Sequence, residues 1–179
     1  MVKVFINRII RAARLEANLY EEIEADKGAL GQAMAVVILS SMAAGAVHVG
    51  RAGLSGMFIG VILALAGWFI WAWLTYLIGT KLLKEPQTRA DPGELLRTIG
   101  FASSPGLIRI AGVVPGLAAP AFFIAALWML VAMVIAVRQA LDYRSTVRAI
   151  GVCVIGWVIQ LLIMALLFSV LADTAARPM

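Results

Sequence analysis

Four stretches of this chain, residues 29–49, 54–78, 118–137 and 149–171, contain no Lys, Arg, Asp or Glu. Each is long enough as a helix to cross about 30 Å of hydrocarbon, which takes about 20 apolar residues. With 63% apolar and 14% charged residues in 179, too little polar surface remains to clothe a water-soluble globule of this size. Lipid is therefore the solvent for most of the chain. Every backbone N–H and C=O in hydrocarbon needs an internal partner, and the short alternating segments of a β-barrel are missing, so helices are the expected solution. The predicted fold class is all-α: a polytopic membrane helical bundle with five transmembrane helices and an N-terminal amphipathic helix.

The amphipathic element is expected over 3–26. At 100° per residue Phe5, Ile6, Ile9, Ile10, Ala13, Leu19, Tyr20 and Ile23 share one side, and Lys3, Asn7, Arg11, Arg14, Asn18 and Glu22 the other. Such a helix lies in the membrane interface, its basic face drawn to anionic headgroups, or packs beneath the bundle. Glu16 falls inside the apolar arc and favours packing, because a carboxylate facing lipid is costly. The start of the chain has no continuous apolar core and no small-residue cleavage site, so the N-terminus is expected to be retained.

The fifth crossing is less obvious. Residues 95–114, LLRTIGFASSPGLIRIAGVV, hold two arginines, two serines and a Pro-Gly pair that should interrupt a helix. Charge placement favours counting them as a span, since Lys and Arg gather in cytoplasmic loops and each crossing switches sides. With five crossings and a cytoplasmic N-terminus, twelve of the fifteen basic residues lie inside, and only Arg51, Arg109 and Arg177 outside. Without that span, Arg138, Arg144 and Arg148 move outside while Arg109 and Arg177 move inside, and the split is eleven against four. Five crossings with the C-terminus outside is the expected topology, and the 81–94 loop, with Asp91 as a helix cap, is its largest cytoplasmic connection.

Little in the chain points to chemistry. A single histidine, His48, has no second His, Cys pair or acidic cluster beside it, so no metal site or other cofactor is expected. The lone Cys153 sits in an apolar run, which leaves neither a disulfide nor a thiolate site. No phosphate-binding loop and no nucleophile elbow is present. Ser103 and Ser104 precede Pro105, where hydroxyls commonly satisfy backbone groups freed by the proline. The net charge of +5 is dispersed over helix ends, so nucleic acid is not an expected partner. Gln160 within the last span and Arg109 near the outer end of the third read as helix-packing or interface-anchoring groups, with a solute pathway as the alternative. Gly56 with Gly60, Gly112 with Gly116, and Ser41 with Gly45 are spaced for close helix approach. Trp68, Trp71, Trp73 and Tyr76 read as an aromatic belt at the cytoplasmic interface.

The blocks RAARLEANLYEEIEADKGALGQAM, GELLRTIGFASSPGLIRIAGVVPG and RQALDYRSTVRAIGVCVIGWVIQ, with their order of spans, resemble the Yip1 domain family in its bacterial branch. The resemblance covers roughly residues 5 to 171. It implies a non-enzymatic protein of the bacterial inner membrane that works through contacts with lipids, other membrane proteins or further copies of itself. Eukaryotic members carry an Asp-Leu-Tyr-Gly-Pro motif in a long N-terminal domain. This chain has neither feature, so their contacts with small GTPases are not carried over. Arg11, Arg14, Glu16, Arg97, Ser104, Pro105, Asp142 and Arg144 are the candidate interaction residues; the plainer account is that they set topology and cap helices. A small-solute or ion transporter or channel is the alternative function.

Overall fold

The computed structural model describes residues 2–176, with the side chains of 51, 164 and 166–176 left out. Arg177, expected on the outer side, lies outside the described residues. Most of the described residues are helical, and no strand occurs among them. It begins with α1 (Val2–Ala13) and α2 (Ala17–Ala25). The expected single helix over 3–26 is thus two. They are broken at Leu15, whose φ of 62° is the left-handed conformation that a branched residue rarely adopts. The break carries Glu16 out of the apolar arc to the N-cap position of α2.

Asp26 accepts a hydrogen bond from the Gly28 amide at 2.9 Å and starts a short 3-10 turn into α3 (Leu30–Leu77). This long element has two arms. Gly53, at φ 67° and ψ −179°, lies between them in a conformation that costs a glycine little. The arms face one another closely: a Cβ on Gly45 would sit 2.8 Å from Cγ of Met57. The second arm ends in a π-helical turn, Ile78–Leu82. After a loop, α4 (Pro92–Phe101) opens with a capping box. Asp91 accepts from the amides of Gly93 and Glu94, and Glu94 accepts from the Asp91 amide at 2.7 Å. The expected cap is therefore the observed one.

Residues 95–114 do not form one helix. α4 ends at Phe101, and a 3-10 segment, Ser104–Val113, continues from the Ser-Pro-Gly break. The segment runs beside the first arm of α3 in the same direction, with Gly100 against Ala33, Gly106 against Ser40 and Gly112 against Val47. Then α5 (Ala118–Ala140) returns, a turn comes next with Asp142 at φ 53°, and α6 is Thr146–Ala176.

Four helical stretches are long and apolar enough to cross a membrane: Lys27–Gly50, Ala52–Leu82, Ala118–Ala140 and Thr146–Ile163. Their outward faces carry large apolar side chains, among them Phe58, Leu63, Phe123 and Leu161, each more than 60% exposed. Such continuous apolar surface is what hydrocarbon requires and water penalises. Burial is concentrated in two clusters. One joins α1, α2, α3, α4 and α5 through Leu19, Tyr20, Ile23, Val36, Phe101 and Ala136. The other joins the second arm of α3 to α4, α5 and α6 through Trp71, Ile99, Leu141 and Val152.

Candidate functional site

Most of the charged residues gather at one end of the bundle, formed by α2, the 83–91 loop and the 141–145 turn. Three fastenings make this end stiff. In the first, Arg8 is buried and donates to Glu22 at 3.1 Å, to Asp26 at 2.9 Å and to Gln32 at 3.1 Å, while Arg11 donates to Glu16 at 2.9 Å and to Glu22 at 2.7 Å. Hydrogen bonding from Arg11, with help from Arg8, holds the Glu22 carboxyl below the usual range despite partial burial. Of the basic face expected to meet headgroups, Arg11 is neutralised within the protein, so that Arg11 and Glu16 are absorbed by α1 and α2. The apolar side of α1 divides accordingly. Phe5, Ile9 and Ala12 turn to the core and Ile6 and Ile10 outward.

In the second fastening Arg97, only 5% exposed, donates to the backbone carbonyls of Ile23, at 3.1 Å, and of Glu24. A fixed cation at the carbonyl end of α2 complements the helix dipole and satisfies two otherwise orphaned acceptors. In the third, the 83–91 loop and the 141–145 turn are stitched together. The Tyr143 hydroxyl lies 2.9 Å from the carbonyls of both Gly79 and Leu83, Glu85 accepts from the Arg144 amide at 3.1 Å, and Arg148 reaches Glu85 at 3.4 Å and the Lys84 carbonyl at 3.1 Å. The Arg144 amide is the leading reason that the Glu85 carboxyl is held low.

Between these fastenings is an open depression of about 670 Å³ lined by Glu21, Glu24, Glu94, Arg138, Asp142 and Arg144. Glu21 accepts from Gln139 at 2.8 Å. Partial burial, then the neighbouring carboxylates of Glu94, Asp142 and Glu21, push the Glu24 carboxyl up to about 7. The structure thus brings Asp142 and Arg144 to the Glu21–Glu24 region. Among the described residues, the side chains of Arg14, Asp142 and Arg144 are exposed and make no hydrogen bond or ion pair. No group of three or more His, Cys, Asp or Glu among those residues is arranged to hold a metal.

Ser104 and Pro105 lie elsewhere, buried in the bundle where α4 gives way to the 3-10 segment. The Ser104 hydroxyl donates to the Phe101 carbonyl at 2.7 Å, the structural duty expected of a serine before proline. Of the expected aromatic belt, Trp68 turns inward and donates to the Leu96 carbonyl at 3.0 Å, Trp71 is buried, and Trp73, 42% exposed, makes an edge contact with Tyr76.

A family model for the Yip1 domain matches residues 18–168. The chain belongs to the Yip1 domain family. No match was found among curated proteins or among solved structures. The Yip1 match spans all four long apolar stretches, apart from a few residues at the last one's end in the sequence reading, and includes α2, both loops of the charged end and the broken 95–114 segment. It begins after α1, so the Arg8 and Arg11 clamp joins a helix outside the matched region to one inside it. This Yip1-domain chain is a multi-pass membrane protein.

Sequence reasoning passed over Arg8, Glu85, Tyr143 and Arg148. Their only signal was position, polar groups adjoining apolar spans, and the partners that fasten them are 14 to 64 residues away along the chain.

Proposed function

We propose that this Yip1-domain protein crosses the bacterial inner membrane five times, with the charged end in the cytoplasm, and acts without catalysis as an interaction or membrane-organising component. The observation that carries the reading is the open depression on a stiffly fastened end, where unpaired Asp142 and Arg144 stand beside Glu21, Glu24, Glu94 and Arg138. Fixed, partly desolvated charges of both signs give orientation and partner discrimination to a docking surface. Exposed Arg14 and the outward apolar residues Ile6 and Ile10 of α1 suit contact with anionic lipid.

Five crossings draw support from the segment after Pro92. Its ten α-helical and ten 3-10 residues rise about 15 and 20 Å, together enough for the hydrocarbon layer. It also keeps pace with the first arm from Ala33 to Val47, fourteen residues that rise about 21 Å. A non-catalytic role is supported by the engagement of the Ser104 hydroxyl with backbone and by the tilted packing of His48 on Phe122, with ring centroids 5.8 Å apart.

The test is capture of the tagged full chain from gently solubilised native membranes. A partner that recurs with wild type and is lost with the double variant Asp142→Ala, Arg144→Ala supports the reading. Recovery of the protein alone from repeated preparations, with one band on native gels, contradicts it. Solute or ion passage is the second reading. It draws on two cavities that meet at Arg109, and an uptake assay in reconstituted vesicles addresses it directly.

A further inference from the structure

The deeper of those cavities, about 270 Å³, lies between both arms of α3, the broken segment, α5 and α6. Its polar lining includes Ser40, Ser41, Trp71, Ser103, Arg109 and Gln160. The second, about 360 Å³, leads from Arg109 past Ser41 and Gly45 to His48, near the turn between the arms. Together they form a path from the end of the bundle opposite the charged one into its interior. Small residues make the room: Gly45, Gly56 and Gly60 all line the second cavity.

Three buried side-chain polar atoms among the described residues have no hydrogen-bond partner: the Tyr20 hydroxyl, Nε1 of Trp71 and Nε of Arg109. The last two belong to residues lining the deeper cavity, and both are N–H groups that can only donate. Arg109 has no carboxylate within ion-pair distance among the described residues. Its guanidinium rests 5.7 Å from the centre of the Phe122 ring and reaches the Met129 sulfur at 3.0 Å, contacts that accommodate the charge without neutralising it. An arginine does not shed its proton to escape this cost. Two donor-only groups with a permanent positive charge between them lack an acceptor that carries negative charge. Water would accept the hydrogen bonds and leave the charge uncompensated.

From this convergence we infer that the cleft at Arg109 binds a phosphate group. The Arg109 guanidinium holds the oxyanion, the Trp71 indole N–H donates to it, and Ser40 and Gln160 supply further hydrogen bonds. Guanidinium geometry suits tetrahedral oxyanions, which accept from several donors at once. The phosphate arrives either as a lipid headgroup entering sideways past exposed Trp157 and Gln160, or as a free anion entering past His48. This site is independent of the protein-contact surface at the charged end.

Trp68, Trp71 and Trp157 all line the deeper cavity, so tryptophan fluorescence reports on it directly. The full chain, stripped of lipid in detergent, is titrated with inorganic phosphate in one arm and with short-chain phosphatidylglycerol in the other, the matching diacylglycerol serving as control. A saturable change is expected with a phosphate-bearing ligand and none with diacylglycerol. Arg109→Gln should weaken binding about tenfold or more, the scale of a charge-assisted hydrogen bond. Gln160→Leu, an apolar change at an exposed position, should preserve the fold and weaken binding several-fold. Saturation by phosphatidylglycerol alone assigns a headgroup, and saturation by inorganic phosphate assigns the free anion. An equal response to diacylglycerol overturns the inference, as does no response to either phosphate ligand. So does unchanged affinity in Arg109→Gln or, should that variant not fold, in Gln160→Leu.

Discussion

Single residues at the charged end differ sharply in what they hold, although sequence alone ranks them together. Arg97 is buried against two α2 carbonyls, whereas Arg14 is exposed without a partner among the described residues. Arg97→Gln is therefore expected to lower stability by about 1.5 to 3 kcal/mol, the range for hydrogen bonds from charged groups. Arg14→Gln should stay within about 0.5 kcal/mol. Thermal unfolding of the purified protein in detergent compares them. Glu24 supplies a pH dependence whose sign is fixed by its carboxyl being raised to about 7 by burial and neighbouring acids. In the range between its unfolded and folded values the native state holds more protons than the unfolded one, so stability falls as pH rises through that range. Glu24→Gln should flatten this slope and raise stability at pH 8 by about 1 kcal/mol, after allowing for solvent screening of a partly exposed group. A steeper loss of stability with pH in the variant would count against the assignment. Neither distinction was legible beforehand. Arg97 and Glu24 lie 73 residues apart along the chain, and only the fold makes them neighbours.

At the scale of elements, the four long spans and the Asp91 cap were readable because each has a local cause: an uninterrupted apolar run, or an Asp-Pro-Gly-Glu start. The interruption near Pro105 was readable for the same reason. The 3-10 geometry beyond Pro105 was not. Glycines were paired at the four-residue spacing of an α-helix, but Ser104–Val113 is a 3-10 segment with three residues per turn. There Gly106 and Gly112 lie two turns apart on one face, and with Gly100 they form the seam against the first arm of α3. A Cβ on Gly100 would lie 2.7 Å from the Ala33 Cβ and 3.1 Å from its carbonyl oxygen, with backbone leaving little room to yield. Gly100→Ala should therefore cost about 1 to 3 kcal/mol by overpacking. Gly60, which has open space where a Cβ would go, should tolerate alanine and gain slightly in helix propensity. Equal melting temperatures for the two variants would show that the seam does not hold the segment in place. The break between α1 and α2 had one sign in the sequence, Glu16 inside the apolar arc, which reads equally well as a continuous helix packed beneath the bundle. It is the Arg11–Glu16 pair at 2.9 Å and the left-handed Leu15 that mark it.

For the whole molecule, composition and hydropathy made the all-helical membrane bundle legible, and the Yip1 match agrees with the resemblance read from three blocks of sequence. The interior cleft was beyond reach of the sequence, because its lining comes from five separate parts of the chain and its emptiness depends on how they pack. The proposed topology rests on one step: the broken segment after Pro92 carries the chain from one side of the membrane to the other, which sets the side on which every later residue lies. Side-specific labelling of single cysteines decides it. In a Cys153→Ala background, Pro115→Cys should react with a membrane-impermeant maleimide added outside intact cells whose outer barrier has been opened, while Arg144→Cys should react only after the inner membrane is breached. Labelling of residue 115 only after that breach would place it in the cytoplasm and contradict five crossings.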